Sequence, residues 1–374
     1  MTATPFYRYD LTLLRKTLAE LKVQASTIPG ANVHYAIKAN SNPLLLKPIL
    51  ESGLGIDCVS GGEIQAALDA GFSPDKIVFA GVGKDDWEID LALKNDIFCL
   101  NVESEAELEV IQERARLCGK SVRVAFRVNP DIDAHTHSNI TTGLAENKFG
   151  INLDLLEELV TKAVGMDGIS LEGLHFHIGS QITDMEPFCL LCERINNLQE
   201  KMESIGFRPR HINVGGGLGI DYVNPEQNQI PDFATYFSIF RENLSLRPGQ
   251  QLHFELGRAV VAQCGQLITK VLYVKKNPGK QFAITDAGMT DLIRPALYDS
   301  YHKIVNLSQR GEMHKYDVVG PICESSDVFG KDRLLNEVHR GDLLAIMSAG
   351  AYGESMASQY NLRRLPGSES FETD

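Results

Sequence analysis

Eight short apolar runs, each ending abruptly in glycine, serine, asparagine or a charged residue, constrain the fold of this chain more than any other feature. They are VHYAIK (33–38), GIDCVSGG (55–62), IVFAGVG (77–83), IFCLNVE (97–103), VRVAFRVNP (122–130), LEGLHFHIGS (171–180), HINVGGG (211–217) and LHFELGR (252–258). Helical patterns such as NPLLLKPILESG, GGEIQAALDAG, ESEAELEVIQERARLCG and LDLLEELVTKAV lie between them. Strands that alternate with helices form parallel βαβ units. Eight units across about 230 residues predict an α/β fold of the (β/α)8 TIM-barrel type, which typically takes ~250 residues. A doubly wound open sheet is the structural competitor.

The barrel is expected over residues 11–260. From about Gln263 onward the texture changes to short alternating runs, QLITKVLYVKK, KQFAITDAG, HKYDVVGPIC and DLLAIMSAG, with little helical period. Residues 261–374 are therefore predicted to form an all-β sandwich or barrel domain, joined by a strand from residues 1–10 (TPFYRY). No flexible linker separates the two parts, so close packing is expected.

In such a barrel the active site forms at the carboxyl ends of the strands. Lys38, Ser60, Arg127, His177, Ser180, Gly215 to Gly217, Glu255 and Arg258 all fall at those ends, so residues distant in sequence converge on one mouth. A net charge of -13 and a pI near 5.3 argue against nucleic-acid or anionic-membrane partners, which need a basic surface. No apolar run approaches the ~20 residues of a membrane span. Seven scattered cysteines, an odd number with no export signal, predict reduced thiols in a cytoplasmic protein rather than a disulfide framework. Cys189 and Cys192 form a C-x-x-C inside a helical pattern with no second pair or nearby histidine, so no metal is expected.

The glycines of NVGGGLGIDY follow a strand, where backbone N–H groups can approach an anion. The run is not a dinucleotide fingerprint, because Tyr222 stands where the last glycine would be, and there is no G-K-[ST] of a nucleotide loop. A tight turn or a phosphate cradle both fit. Lys38 at a barrel mouth can have its pKa lowered by desolvation and nearby cations, and a neutral amine forms Schiff bases with carbonyls. Together these point to pyridoxal 5'-phosphate, whose pyridine nitrogen needs a partner such as a buried carboxylate. Glu255 ends an apolar strand and suits that role, unless it pairs with Arg258 instead. His175 and His177 alternate on one strand face: one reads as a core histidine, the other as a stacking or hydrogen-bonding one.

YAIKAN, HFHIGSQI, NVGGGLGIDY, ELGR, LIRPALY, GPICESSD and SAGAYG resemble, in order and spacing, the diaminopimelate decarboxylases. These are fold-type III pyridoxal-phosphate enzymes related to ornithine decarboxylase and alanine racemase, and the resemblance runs from TPFYRYD to YNLRRLP. It implies that Lys38 carries the cofactor as a Schiff base and that His177 stacks on its ring. Ser180, Gly217 and the turn Glu255 to Arg258, including Gly257, would hold phosphate and ring, with Glu255 keeping the pyridine nitrogen protonated. It further implies that Cys323 returns a proton to the α-carbon and that Glu324 accepts the substrate's distal ammonium. Arg294 and Tyr298, with Arg258, would clamp the distal carboxylate, and Tyr352 would contact cofactor and substrate. The resemblance also implies a homodimer with its active site shared between subunits, with Lys148 and Asp327 as candidates for an intersubunit ion pair.

The activity implied is decarboxylation at the D-centre of meso-2,6-diaminopimelate, giving L-lysine and carbon dioxide, the last step of lysine biosynthesis. Alternatives are a basic-amino-acid decarboxylase acting on ornithine, lysine or carboxynorspermidine, against which the arginine clamp argues, and a non-catalytic pyridoxal-phosphate-binding homologue, against which Cys323 and Glu324 argue. Departures from the family pattern are the lack of proline in ELGR, Ser326 in place of glycine, and Thr136 in place of proline after His135. One terminal strand of the β domain is expected to be short or absent.

Overall fold

A computed structural model describes residues 3–133 and 148–373 of the chain; Thr136 and His135 lie outside them. A first strand, β1 (Phe6–Asp10), leads into helix α1 (Leu11–Ala25). The eight expected strand-and-helix repeats follow. The strands are β2 (Ala31–Ala36), β3 (Gly55–Cys58), β4 (Ile77–Phe79), β5 (Cys99–Val102), β6 (Val122–Arg127), β7 (Ile169–His175), β8 (His211–Asn213) and β9 (Gln251–Leu256). They form a closed parallel barrel in chain order, with β9 pairing back onto β2 through His34 opposite Glu255. The helices are α2 (Pro43–Glu51), α3 (Gly61–Asp69), α4 (Asp86–Asn95), α5 (Glu105–Cys118), α6 (Leu153–Val164), α7 (Glu186–Ser204) and α8 (Phe233–Asn243), with a short α9 (Arg258–Val261) after β9.

The sequence dictates these elements locally. In α6, Leu156, Leu159, Val160 and Ala163 are buried, an i, i+3, i+4, i+7 stripe facing the barrel. Ser60 and Ser104 cap α3 and α5 by accepting from the N–H groups of Glu63 and Glu107, both at 3.2 Å. Cys189 and Cys192 lie on α7, with Cys192 buried.

The remaining strands are β10 (Gly265–Asn277), β11 (Lys280–Thr285), β12 (Ile304–Asn306), β13 (Met313–Val319), β14 (Val328–Asn336), β15 (Leu343–Ile346) and β16 (Gly367–Phe371), with helix α10 (Arg294–Tyr298) between β11 and β12. They form a mostly antiparallel eight-stranded sheet that includes β1. The 13-residue β10 is its hub: its first half pairs with β1 and β15 and its second half with β11. A terminal strand is present as the five-residue β16, paired in parallel with β1.

One continuous apolar core runs from Tyr7 and Tyr9 through the barrel to Leu344 and Ile346. At the junction, the carbonyl of Ala39 accepts from the Tyr352 N–H at 2.7 Å, and the Asn40 amide donates to the Gly350 carbonyl at 2.9 Å and to the Tyr9 hydroxyl at 2.8 Å. No helix among the described residues is long and apolar enough to cross a membrane.

Candidate active site

Lys38 does not end its strand. β2 stops at Ala36, and Lys38 sits in the following 3-10 turn, Ile37–Ala39. Its ammonium lies 3.1 Å from Oδ2 of Asp57, a fully buried carboxylate on β3. Burial alone would depress the Lys38 amine, but attraction to Asp57, Tyr352 and Glu255 outweighs it and holds the ammonium above its usual range. The structure thus reverses the expectation of a lowered lysine pKa: the mouth around Lys38 is anionic. Burial and the neighbouring Glu255 raise Asp57 to about 7, against the opposing pull of Lys38.

Glu255, on β9, is buried and does not pair with Arg258. Its Oε1 accepts from the amides of Asn213 at 2.7 Å and Asn101 at 3.3 Å, and its Oε2 from Nε2 of His175 at 3.0 Å. Burial would raise this carboxyl, yet His175 and Lys38 hold it well below the ordinary range, so it is ionised. His177, just past the end of β7, is the second histidine of the pair. Its Nδ1 accepts from the Gly216 N–H at 3.2 Å. Burial, then Arg127 and Lys38, pushes its pKa far down. The imidazole is therefore neutral with its proton on Nε2.

The glycine run is required first by packing. A Cβ on Gly216 would lie 1.9 Å from the Glu255 carbonyl oxygen, and one on Gly215 would lie 2.3 Å from that of Phe176, with φ +68°. The Gly215 N–H donates to Asn213 Oδ1 and the Gly216 N–H to His177, so within the run it is Gly217 that lines the cavity. The three glycines bring β7, β8 and β9 close together at their carboxyl ends rather than presenting three free N–H groups.

Two buried guanidiniums face the same space. Arg258 donates to the Tyr222 hydroxyl at 2.7 Å and the Ser180 hydroxyl at 2.9 Å; Arg294 donates to the Ser300 hydroxyl at 3.2 Å. Nε of each is buried without a hydrogen-bond partner, and neither is ion-paired to a carboxylate among the described residues. The aromatic ring of Tyr352 lies 5.0 Å from the Arg258 guanidinium and 5.9 Å from that of Arg294, and the ring of Tyr298 lies 5.4 Å from Arg294.

A cavity of about 220 Å³ is lined by Lys38, His177, Ser180, Gly217, Glu255, Gly257, Arg258, Arg294, Tyr298 and Tyr352, with Ala36, Phe149, Leu218 and Leu256. Residues from β2, from the loops after β7 and β8, from β9, from helix α10 and from the segment after β15 thus meet in one place. Other flagged residues go elsewhere. Ser60 is a helix cap. Arg127 is ion-paired to Glu103 at 2.9 Å and lies over the Phe149 ring. Cys323 and Glu324 are exposed on the loop between β13 and β14, outside this cavity. Asp327 is buried in its own chain, accepting from the N–H groups of Met289 at 2.6 Å and Ile322 at 2.7 Å, so it is a loop-shaping carboxylate rather than a free partner for Lys148. Lys148 is exposed, its ammonium 5.2 Å from the Phe149 ring. Sequence reasoning missed Asp57, Asn101 and Asn213, whose signal is a single polar residue inside an apolar strand, and Tyr222, which holds Arg258.

Residues 14–262 match the family model for the pyridoxal-binding domain of pyridoxal-dependent decarboxylases. The chain is 61% identical over 363 residues to a diaminopimelate decarboxylase of Bacteroides thetaiotaomicron, covering 97% of this chain and 94% of the relative. The solved structure of diaminopimelate decarboxylase from Helicobacter pylori complexed with L-lysine superposes with a TM-score of 0.94 at 42% identity, covering 100% of this chain and 92% of that one. The corresponding enzyme from M. jannaschii, also in complex with L-lysine, does so at 0.89 and 34%, covering 99% and 88%. Pyridoxal phosphate fits the donor set: an amine at Lys38, an ionised Glu255, a neutral imidazole at His177, and a hydroxyl–guanidinium pair, Ser180 and Arg258, with an unpartnered Nε. Sequence, fold and cavity agree that the chain belongs to the diaminopimelate decarboxylase family of pyridoxal-dependent decarboxylases.

Proposed function

We propose that this protein removes the carboxylate at the D-centre of meso-2,6-diaminopimelate, releasing L-lysine and carbon dioxide, the last step of lysine biosynthesis. The observation that carries the substrate reading is the pair of buried guanidiniums, Arg258 and Arg294, that no carboxylate neutralises among the described residues. Uncompensated buried charge is costly, and guanidinium donors match the fork of a carboxylate. One cation more than a phosphate requires suits a substrate with a second carboxylate, and disfavours ornithine or lysine.

Lys38, His177, Ser180, Gly217, Glu255, Gly257, Arg258 and Tyr352 would hold the cofactor. When bound, pyridoxal phosphate supplies a ring that accepts the electron pair left by the departing carboxylate. Glu255, kept anionic by two amides and an imidazole, holds a proton on the pyridine nitrogen. His177, neutral and fixed by Gly216, offers a flat uncharged face. Asp57 keeps the Lys38 amine aimed into the cavity and takes up its proton when that amine is engaged. Arg294 and Tyr298 orient the distal carboxylate, and Tyr352, whose N–H is tied to Ala39, closes the wall between the two sheets. Cys323 donates the proton that replaces the lost carboxylate, and Glu324 accepts the distal ammonium.

Because Cys323 and Glu324 are exposed and do not line the cavity of their own chain, we assign them to the cavity of a second copy, making the working enzyme a homodimer. Seven unpaired thiols support a reducing, cytoplasmic setting.

Purified protein with pyridoxal phosphate and meso-diaminopimelate is expected to yield L-lysine and carbon dioxide; the absence of lysine rejects the reading. Arg294→Ala is expected to lower kcat/KM by about 100-fold, the scale on which truncating one member of a buried charge pair acts. Unchanged kinetics would favour a substrate with no distal carboxylate.

A further inference from the structure

Cys323 and Glu324 are braced by a neighbouring segment. The 3-10 turn Tyr360–Leu362 reaches their loop through two hydrogen bonds. The Tyr360 phenol donates to Glu324 Oε1 at 2.8 Å, and the Cys323 N–H donates to Asn361 Oδ1 at 3.4 Å. Two adjacent side chains thus reach two adjacent residues, one through a carboxylate and the other through the main chain.

The backbone that makes this possible is unusual. Asn361 and Leu362 both have φ of +56°. Asparagine tolerates the left-handed region because its short amide can bond locally, but leucine does not, and such conformations concentrate at sites where geometry matters. Leu362 is also 97% exposed. Neither strain nor exposure is needed for the sheet, whose strands end before and begin after this turn. Glu324 is left with Oε2 unengaged among the described residues, so the phenol fixes the carboxylate while leaving an oxygen for an ammonium donor.

We propose that Tyr360 and Asn361 are positioning residues for the reaction, Tyr360 orienting Glu324 toward the distal ammonium of the substrate and Asn361 setting the main chain that carries Cys323. This rests on the roles assigned above to Cys323 and Glu324. The two effects are separable. Glu324 recognises a remote group, so loss of its orientation falls on substrate binding. Cys323 acts on the reacting carbon, so loss of its placement falls on turnover.

The experiment measures steady-state kinetics of the full-length holoenzyme with meso-diaminopimelate, together with melting temperature. Tyr360→Phe is expected to raise KM about tenfold with kcat within about twofold, as for loss of a hydrogen bond to a charged group. Asn361→Gly keeps the left-handed backbone but removes the acceptor, and is expected to lower kcat about tenfold with KM little changed. Asn361→Asp, which retains the acceptor, is expected to restore kcat. Melting temperatures should match the parent. Glu324→Gln and Cys323→Ala are the controls. If these impair the enzyme while Tyr360→Phe and Asn361→Gly do not, the positioning proposal is overturned and the assignment of Cys323 and Glu324 stands. If the controls themselves behave like the parent, that assignment fails and the proposal with it. A fall in melting temperature that tracks the loss of activity would show a merely structural turn and overturn the proposal.

Discussion

Glu255 is held by Asn101, Asn213 and His175, which come from three different strands. A carboxylate gripped in this way keeps its charge in a buried setting, and charge fixed in advance is usually the largest single contribution to catalysis. Glu255→Gln removes the charge with little change in volume. It is expected to lower kcat by about 100-fold, within the range found when one preorganised electrostatic group is deleted, with KM changed much less. Stopped-flow or steady-state measurement checks this, and a KM effect with kcat intact would contradict it. Asp57 lacks such a grip: burial first, and then the charge fixed on Glu255, raise it to about 7 against the pull of Lys38.

At the scale of elements, the glycine run after β8 is where packing tolerance is smallest. Gly216→Ala would place a methyl 1.9 Å from the Glu255 carbonyl oxygen. Forcing β8 and β9 apart is expected to cost about 1–3 kcal/mol of stability, the usual range for overpacking, and to weaken cofactor binding by displacing both His177 and Glu255. A urea midpoint and a cofactor titration read the two effects. The eight strands themselves were legible because parallel strands buried on both faces appear as unbroken apolar runs. The ends of those runs were less informative than they looked. A polar residue after a strand can serve the mouth, as Ser180 does, or cap the next helix, as Ser60 does, and the residue type is the same. Lys38 reads as the last strand residue although its backbone has already turned, because a 3-10 turn of Ile-Lys-Ala has no distinctive composition. Asp57, Asn101 and Asn213 stayed hidden since their importance lies in facing Glu255, a relation between strands that no single strand records. The short helix Arg294–Tyr298 was likewise invisible to periodicity, being barely more than one turn.

Across the whole molecule, buried histidines weaken the fold as the pH falls, against the opposite contribution of the raised Asp57 and Asp291 carboxyls. His302 is fully buried, donates from Nδ1 to the Met347 carbonyl at 2.9 Å, and is lowered to about 3, first by burial and then by Arg294. At the amino end of the barrel His34, His253 and His211 form a hydrogen-bonded chain at 2.9 and 3.2 Å. Lys76 O accepts from Nδ1 of His34, so Nε2 of His34 must accept from Nδ1 of His253, and Nε2 of His253 from Nδ1 of His211. A proton added to His34 or His253 would break this order, and both are lowered chiefly by burial. Each such histidine has a folded pKa below its unfolded value near 6.5, so the unfolded chain binds more protons. Its stabilising contribution is complete above about pH 6.5 and is lost as the pH falls toward the folded value. For His302 the loss at pH 5 is about 2 kcal/mol. The denaturation midpoint is therefore expected to fall between pH 7.5 and pH 5, and His302→Gln should make that fall shallower. A His302→Gln midpoint that falls as steeply as the parent's would contradict a neutral, buried imidazole at that position.

The turn bearing Lys38 is fastened by Asn40 to Gly350 and Tyr9, and by Ala39 to Tyr352. On a ribosome, a lysine made among the first forty residues would wait through some three hundred more before two of these anchors, Gly350 and Tyr352, exist. With Lys38 as the proposed anchor, coenzyme capture is expected to come late in biogenesis, and a chain stopped at residue 345 should show no label at position 38 after borohydride reduction in the presence of the vitamin, however much of its barrel has formed.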